Sequence, residues 1–357
     1  MKRLVAILMA GCMLLSGCST MFDGSYVNIT PYEGQVEQPD ESAVSVSDYA
    51  QLYAALRNMT QNGKESGVVY VSEYAQEALQ SDVDTAVRKL MAQDPITAYA
   101  VEKIDVQIGT NAGQSAIAVS ISYLHNKSQI RKIKTVKTMD EARKVVRSEL
   151  ENFSSGVAIY ISEYEASDIQ QWVEDHAANY PELVMEVPEV TVNLYPDNGD
   201  TRVVELKFNY RSSRDALRVM QSEVTPIFAA AQAHVSADVD QRLKFAKLYD
   251  FLMGCVGDYK LETSITPSYS LLIHDVGDAK AFASVYAAMC RLAGLECATV
   301  SGTRQGSAWY WNIVSVDGAY YHVDILRCSE NGGFRMMTDS EMTGYVWDYS
   351  AMPAIME

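Results

Sequence analysis

Across 357 residues the chain carries 46 Asp and Glu against 29 Lys and Arg, a formal charge of -17. An acidic excess of this size makes nucleic acid a poor partner, while the length is enough to bury two or three separate cores. Six cysteines are too few for a disulfide-stapled scaffold in so long a chain.

The N-terminus has Lys2 and Arg3, then the apolar run LVAILMAGCMLL, then Leu15-Ser16-Gly17-Cys18. That run is too short to cross a bilayer as a helix and has the layout of a signal peptide. Leu-Ser-Gly-Cys resembles the bacterial lipobox. The resemblance implies removal of residues 1–17 and lipid, including a palmitate-type acyl chain, on the sulfur and amine of Cys18. It also implies a protein anchored to the cell membrane on its extracytoplasmic, extracellular-facing side. No later run is long and apolar enough for a transmembrane helix, so the lipid would be the only anchor. Residues 18–45 are polar and acidic with scattered Pro and Gly, the composition of a flexible tether.

An internal repeat follows. Gly67-VVYVSEY matches Gly156-VAIYISEY, and SDVDTAVRKLMAQDP from Ser81 matches SDIQQWVEDHAANYP from Ser167 without a gap. In the second pair Ser-Asp supplies a helix N-cap, apolar residues recur at helical spacing, and Pro95 and Pro181 end the helices. Each copy has a preceding helix, after Asp48 or from Asp140. Each is followed by a hairpin turning at Asn111-Ala-Gly or Asp197-Asn-Gly. The expectation is two α-β-α-β-β repeats, 46–133 and 134–220. Neither holds a cluster of His, Cys and carboxylate, so no metal or cofactor is expected. His125 and His176 are isolated and read as surface or rim residues. Lys127, Arg131, Lys132, Lys134 and Lys137 form a basic run that reads as a solvated strand face or inter-repeat linker; contact with an anionic polymer or phospholipid is the alternative.

In residues 221–357 the pattern becomes more specific. Ala237 to Tyr259 has helical spacing at Leu243, Ala246, Tyr249 and Leu252. Gly277 to Gly302 reads as a buried helix closed by Gly294, then a core strand from Cys297 to Val300. SAWYWNIVSVDGAYYHVDI, Ser307 to Ile325, reads as a hairpin, because Asp317-Gly318 accepts the positive φ of a tight primed turn. Cys255, Cys290, Cys297 and Cys328 read as small apolar core groups.

Gly277 to Asp324 resembles the transglutaminase-like domain of bacterial secreted and lipid-anchored proteins. The matching positions include Gly277, Phe282, Ala283, Leu292, Gly294, Val300, Gly302, Trp311, Asn312, Tyr320, Tyr321, Val323 and Asp324. The implied fold is an α+β domain of the papain-like cysteine-protease superfamily. The implied chemistry needs a Cys at a helix N-terminus, where the helix dipole favours the thiolate, a His on the adjacent strand as base, and an Asp to orient it. The resemblance puts the Cys position at Ala279 and the His position at Trp309; only Asp324 is kept.

Without nucleophile and base, thiol acyl transfer has no mechanism. Asp324 then becomes a structural acceptor for the Trp309 indole, a backbone N-H or a Tyr hydroxyl, since an unpartnered buried carboxylate is costly. The expected function is a lipid-anchored binding or scaffolding module for a peptide, protein or cell-wall ligand, with Tyr310, Trp311, Asn312 and His322 as a candidate groove. His274 and His322 read as structural hydrogen-bonding residues. The rivals are an active acyltransferase or cysteine protease using non-standard residues, and a spacer that presents the repeats.

Overall fold

The computed structural model describes residues 44–235 and 239–348. The leader, Cys18 and the tether up to residue 43 lie outside the described residues, as do positions 236–238 and 349–357. Among the described residues helices and strands are mixed throughout, an α+β architecture with three separate four-stranded sheets.

The first repeat runs β1 (Val44–Val46), α1 (Tyr49–Gln61), β2 (Ser66–Val71), α2 (Gln76–Gln93), α3 (Pro95–Ala100), β3 (Val101–Asn111) and β4 (Gln114–Tyr123). A short helix α4 (Lys127–Arg131) leads into the second: β5 (Lys134–Thr138), α5 (Met139–Glu151), β6 (Gly156–Glu163), α6 (Ile169–Asn179), β7 (Glu189–Tyr195) and β8 (Arg202–Asn209). The sheets have orders β1-β2-β4-β3 and β5-β6-β8-β7, so the repetition extends to strand order and direction. In each, the outer strand is parallel to its neighbour and the other two pairings are antiparallel.

Each repeat therefore begins with a strand that the expected α-β-α-β-β pattern lacks. β1 takes Val44 and Ser45 out of the expected tether and pairs Val44 with Val69. β5 turns part of the basic run into an edge strand, pairing Lys134 with Ile159. Both are short edge strands, and KTVKT is polar enough to hide the alternation that marks a strand.

Helix starts also differ. Asp48 and Asp168 cap α1 and α6 by accepting the N-H of Gln51 and Gln171. Ser81-Asp82 is no cap, because α2 begins at Gln76 and Asp82 instead accepts the Tyr74 hydroxyl at 2.8 Å. Pro95 ends α2 but also opens α3, its missing N-H being harmless at the first helical position. Buried Asp94 caps α3 through Thr97 and takes the Arg57 guanidinium at 2.6 Å.

The C-terminal part contains α7 (Arg214–Ala233), α8 (Gln241–Cys255), α9 (Pro267–His274), α10 (Ala279–Leu292), β9 (Cys297–Arg304), β10 (Ser307–Val316), β11 (Ala319–Val323), α11 (Ile325–Glu330) and β12 (Tyr345–Trp347). α7 crosses the boundary expected at 220/221, and its Leu217, Val224 and Phe228 join the C-terminal core. The helix cannot be divided without opening that core. Its sheet, β11-β10-β9-β12, has the buried α10 on one side. A smaller cluster of Trp311, Ile313, Met337, Met342, Tyr345 and Trp347 covers the other.

Candidate functional site at the head of helix α10

Ala279 is the first residue of α10, and Asp278 caps the helix by accepting the Ala281 N-H at 2.9 Å. The helix is nearly all apolar, so it sinks into the core, leaving Ala279 7 % exposed. Gly294, at φ +73°, closes it as the sequence implies. The hairpin of β10 and β11 turns through Asp317 (φ +53°) and Gly318 (φ +82°), the primed geometry expected of Asp-Gly. Asn312 ties β10 to α10 by donating from Nδ2 to the Ala283 carbonyl at 2.9 Å.

Trp309 is half-buried and packs against both the helix-side core that contains Ala279 and the smaller cluster across the sheet. Its indole Nε1-H donates to Asp324 Oδ2 at 2.8 Å. The same oxygen accepts the Tyr345 hydroxyl at 2.5 Å, and Oδ1 accepts the Arg327 N-H at 3.1 Å, which makes Asp324 the N-cap of α11. Arg304 stacks over the Trp309 ring at 5.1 Å, and its guanidinium lies 3.9 Å from the carboxylate. Asp324 is thus buried with its charge answered on every side. Burial and this carboxylate push the Tyr345 hydroxyl well above its ordinary pKa, keeping it a donor.

The expected groove is corrected. Trp311, Asn312 and His322 are fully buried, and only Tyr310 keeps partial exposure, with Lys280 over its ring at 5.6 Å. Trp311 Nε1-H donates to His322 Nδ1 at 2.9 Å, so Nε2 carries the imidazole proton and donates to Asp339 at 2.8 Å. Burial lowers the pKa of His322, which therefore stays neutral. Two bulky aromatics and a polar relay fit there because Gly302 offers no Cβ. One added at that position would lie 2.3 Å from the Val346 carbonyl and 2.7 Å from the Trp311 ring.

The isolated histidines have partners. His176 is 4 % exposed and its Nε2 lies 3.0 Å from Glu151, so it is interior rather than a rim residue. His125 stacks on Tyr99 at 3.9 Å and donates from Nδ1 to its carbonyl. His274 is the last residue of α9 and meets Tyr269 edge-on.

Three of the four cysteines among the described residues are poorly suited to nucleophilic work. Burial raises the pKa of Cys255, raises that of Cys290 far more, and pushes Cys328 up to about 11. Among the described residues no group of His, Cys, Asp and Glu could hold a metal ion, and no helix is long and apolar enough to cross a membrane. Tyr345, Arg304 and Asp339 belong to the site, but none of them is among the positions matched to the family pattern. A separate recess of about 310 Å³ lies on another flank of α10, lined by Ala281, Ser284 and Val285 and by Ala177 and Pro181 of the second repeat.

Residues 229–332 match the Transglutaminase-like superfamily. A search of curated proteins found no match. Among solved structures, a TGase is 12 % identical with a TM-score of 0.26, over 58 % of this chain and 61 % of that one. A Parabacteroides distasonis ATCC 8503 protein assigned as a protease is 9 % identical with a TM-score of 0.23, over 72 % of this chain and 39 % of its own. A Cytophaga hutchinsonii protein assigned as a cysteine protease is 12 % identical with a TM-score of 0.24, over 44 % and 70 %. The chain spans less than two thirds of the length of the first two. Residues 229–332 of this chain are a transglutaminase-like domain.

Proposed function

We propose that the chain is a lipid-anchored protein of the extracytoplasmic face whose transglutaminase-like domain is catalytically degenerate and serves as a binding or scaffolding module for peptide or cell-wall ligands. The observation that carries this reading is the bond from Trp309 to Asp324. Where the family resemblance expects a base, an indole donates to the carboxylate that would have oriented it, and Ala279 at the head of α10 has no sulfur to activate. An indole N-H can donate but cannot accept a proton, so general-base catalysis has no agent there. The raised thiol pKa values of Cys255, Cys290 and Cys328 support the same conclusion. Ligand contact then falls to surfaces other than the family's catalytic position. The Leu15-Ser16-Gly17-Cys18 segment supports the anchor.

The test is turnover. The full chain, offered glutamine peptides with a primary amine, is expected to show no amine incorporation, deamidation or peptide cleavage. Turnover that a thiol alkylator abolishes would overturn the reading.

A further inference from the structure

The basic run does not stay on one strand face. Arg131 and Lys132 at the end of α4 and Lys134 at the start of β5 meet Lys207 of β8 around one recess of about 660 Å³, which also reaches Tyr99 of the first repeat. All four cations are exposed. Among the described residues no carboxylate lies within ion-pair distance of Arg131, Lys132 or Lys134. Lys207 makes only a 3.8 Å approach to Glu205.

The two carboxylates of the recess are already engaged. Glu205 accepts from Asn193 at 3.0 Å and Tyr195 at 3.5 Å and lies 3.3 Å from His125 Nε2. Glu149 accepts the Ser154 hydroxyl at 2.5 Å. Four exposed cations held together on one concave face repel one another until an anion enters, and this concentration occurs in a chain of net charge -17.

We propose that this recess binds a linear, phosphate-bearing anionic polymer. Phosphate chemistry suits the site because the Arg131 fork can grip two oxygens of one phosphate while the lysines act as point charges along the chain. The shape favours a chain over a bilayer, since a planar headgroup surface cannot fill a concavity between two repeats. The site lies outside the transglutaminase-like domain and does not depend on whether that domain catalyses anything.

Medium-chain inorganic polyphosphate, titrated calorimetrically into the full chain at low salt, is expected to bind and to weaken as salt is raised, because exposed charges are screened. A Lys132→Glu, Lys134→Glu, Lys207→Glu variant is expected to weaken binding at least about tenfold, while Lys260→Glu, an exposed lysine of the C-terminal part, leaves it unchanged. Circular dichroism of the triple variant should match the parent, as all three positions are exposed. Three results would each overturn the proposal: no polyphosphate binding, equal weakening by Lys260→Glu, or a delipidated protein that floats with phosphatidylglycerol vesicles but ignores polyphosphate.

Discussion

The indole of Trp309 and the carboxylate of Asp324 meet at 2.8 Å in a place where the carboxylate is 1 % exposed. A hydrogen bond to a buried charge contributes about 1.5–3 kcal/mol, more than a neutral pair. Trp309→Phe removes the donor together with part of the indole's packing, so a loss of at least that size is expected. Trp309→Ala also removes packing against both clusters and should cost about 3 kcal/mol, the low end for a large aromatic because Trp309 is only half-buried. Urea unfolding measures both; a loss below about 1 kcal/mol for the alanine variant would show that the indole is not holding the site closed.

Gly302 is required by its neighbours rather than by its backbone angle. A Cβ there meets the Val346 carbonyl at 2.3 Å and the Trp311 ring at 2.7 Å, so Gly302→Ala must push β12 from β9 or shift a fully buried indole. Overpacking of this kind costs about 1–3 kcal/mol, and the upper end is expected because one clash is with backbone. The check is a lowered Tm with a changed near-ultraviolet circular dichroism signal from the Trp311 environment.

Acid should weaken the fold before its carboxylates titrate. Burial lowers the folded pKa of His176 and of His322 below the ordinary 6.5, so the unfolded chain takes up protons first as pH falls. Their contribution is complete above about pH 6.5 and is lost as pH drops from there through the folded values, at up to about 1.4 kcal/mol per pH unit for each histidine. Urea midpoints are expected to be lower at pH 5.5 than at pH 7.5. A His176→Asn, His322→Asn variant should be less stable at pH 7.5 but show a flatter pH dependence; an unchanged slope would remove these residues as the cause.

The proposed lipid anchor rests on Cys18. Cys18→Ala is expected to abolish lipid attachment and to move the protein from the detergent phase to the aqueous phase on phase partitioning. Mass spectrometry of the N-terminal peptide would show the change; a variant that still carries lipid would refute the lipobox assignment.

What the sequence determined by itself was whatever depends on local chemistry. The doubled motif, the Asp48 and Asp168 caps, the Gly294 stop and the Asp317-Gly318 turn are all written in neighbouring residues, because caps and tight turns use side chains and φ angles within a few positions. The identities at 279, 309 and 324 were equally legible, being a matter of reading letters against a pattern. The edge strands β1 and β5 were not, since their stability comes from hydrogen bonds to β2 and β6 and not from their own composition. Nor was the fate of the site. Tyr345 comes from beyond the motif, Arg304 fits no part of it, and the tertiary fold brings both to Asp324 and Trp309; Trp311 became core rather than groove because Gly302 and β12 left room for it on the covered side of the sheet. The basic recess likewise needed Lys207 of β8 to line the same concavity as Lys134 of β5, an arrangement set by strand order, which no local pattern encodes.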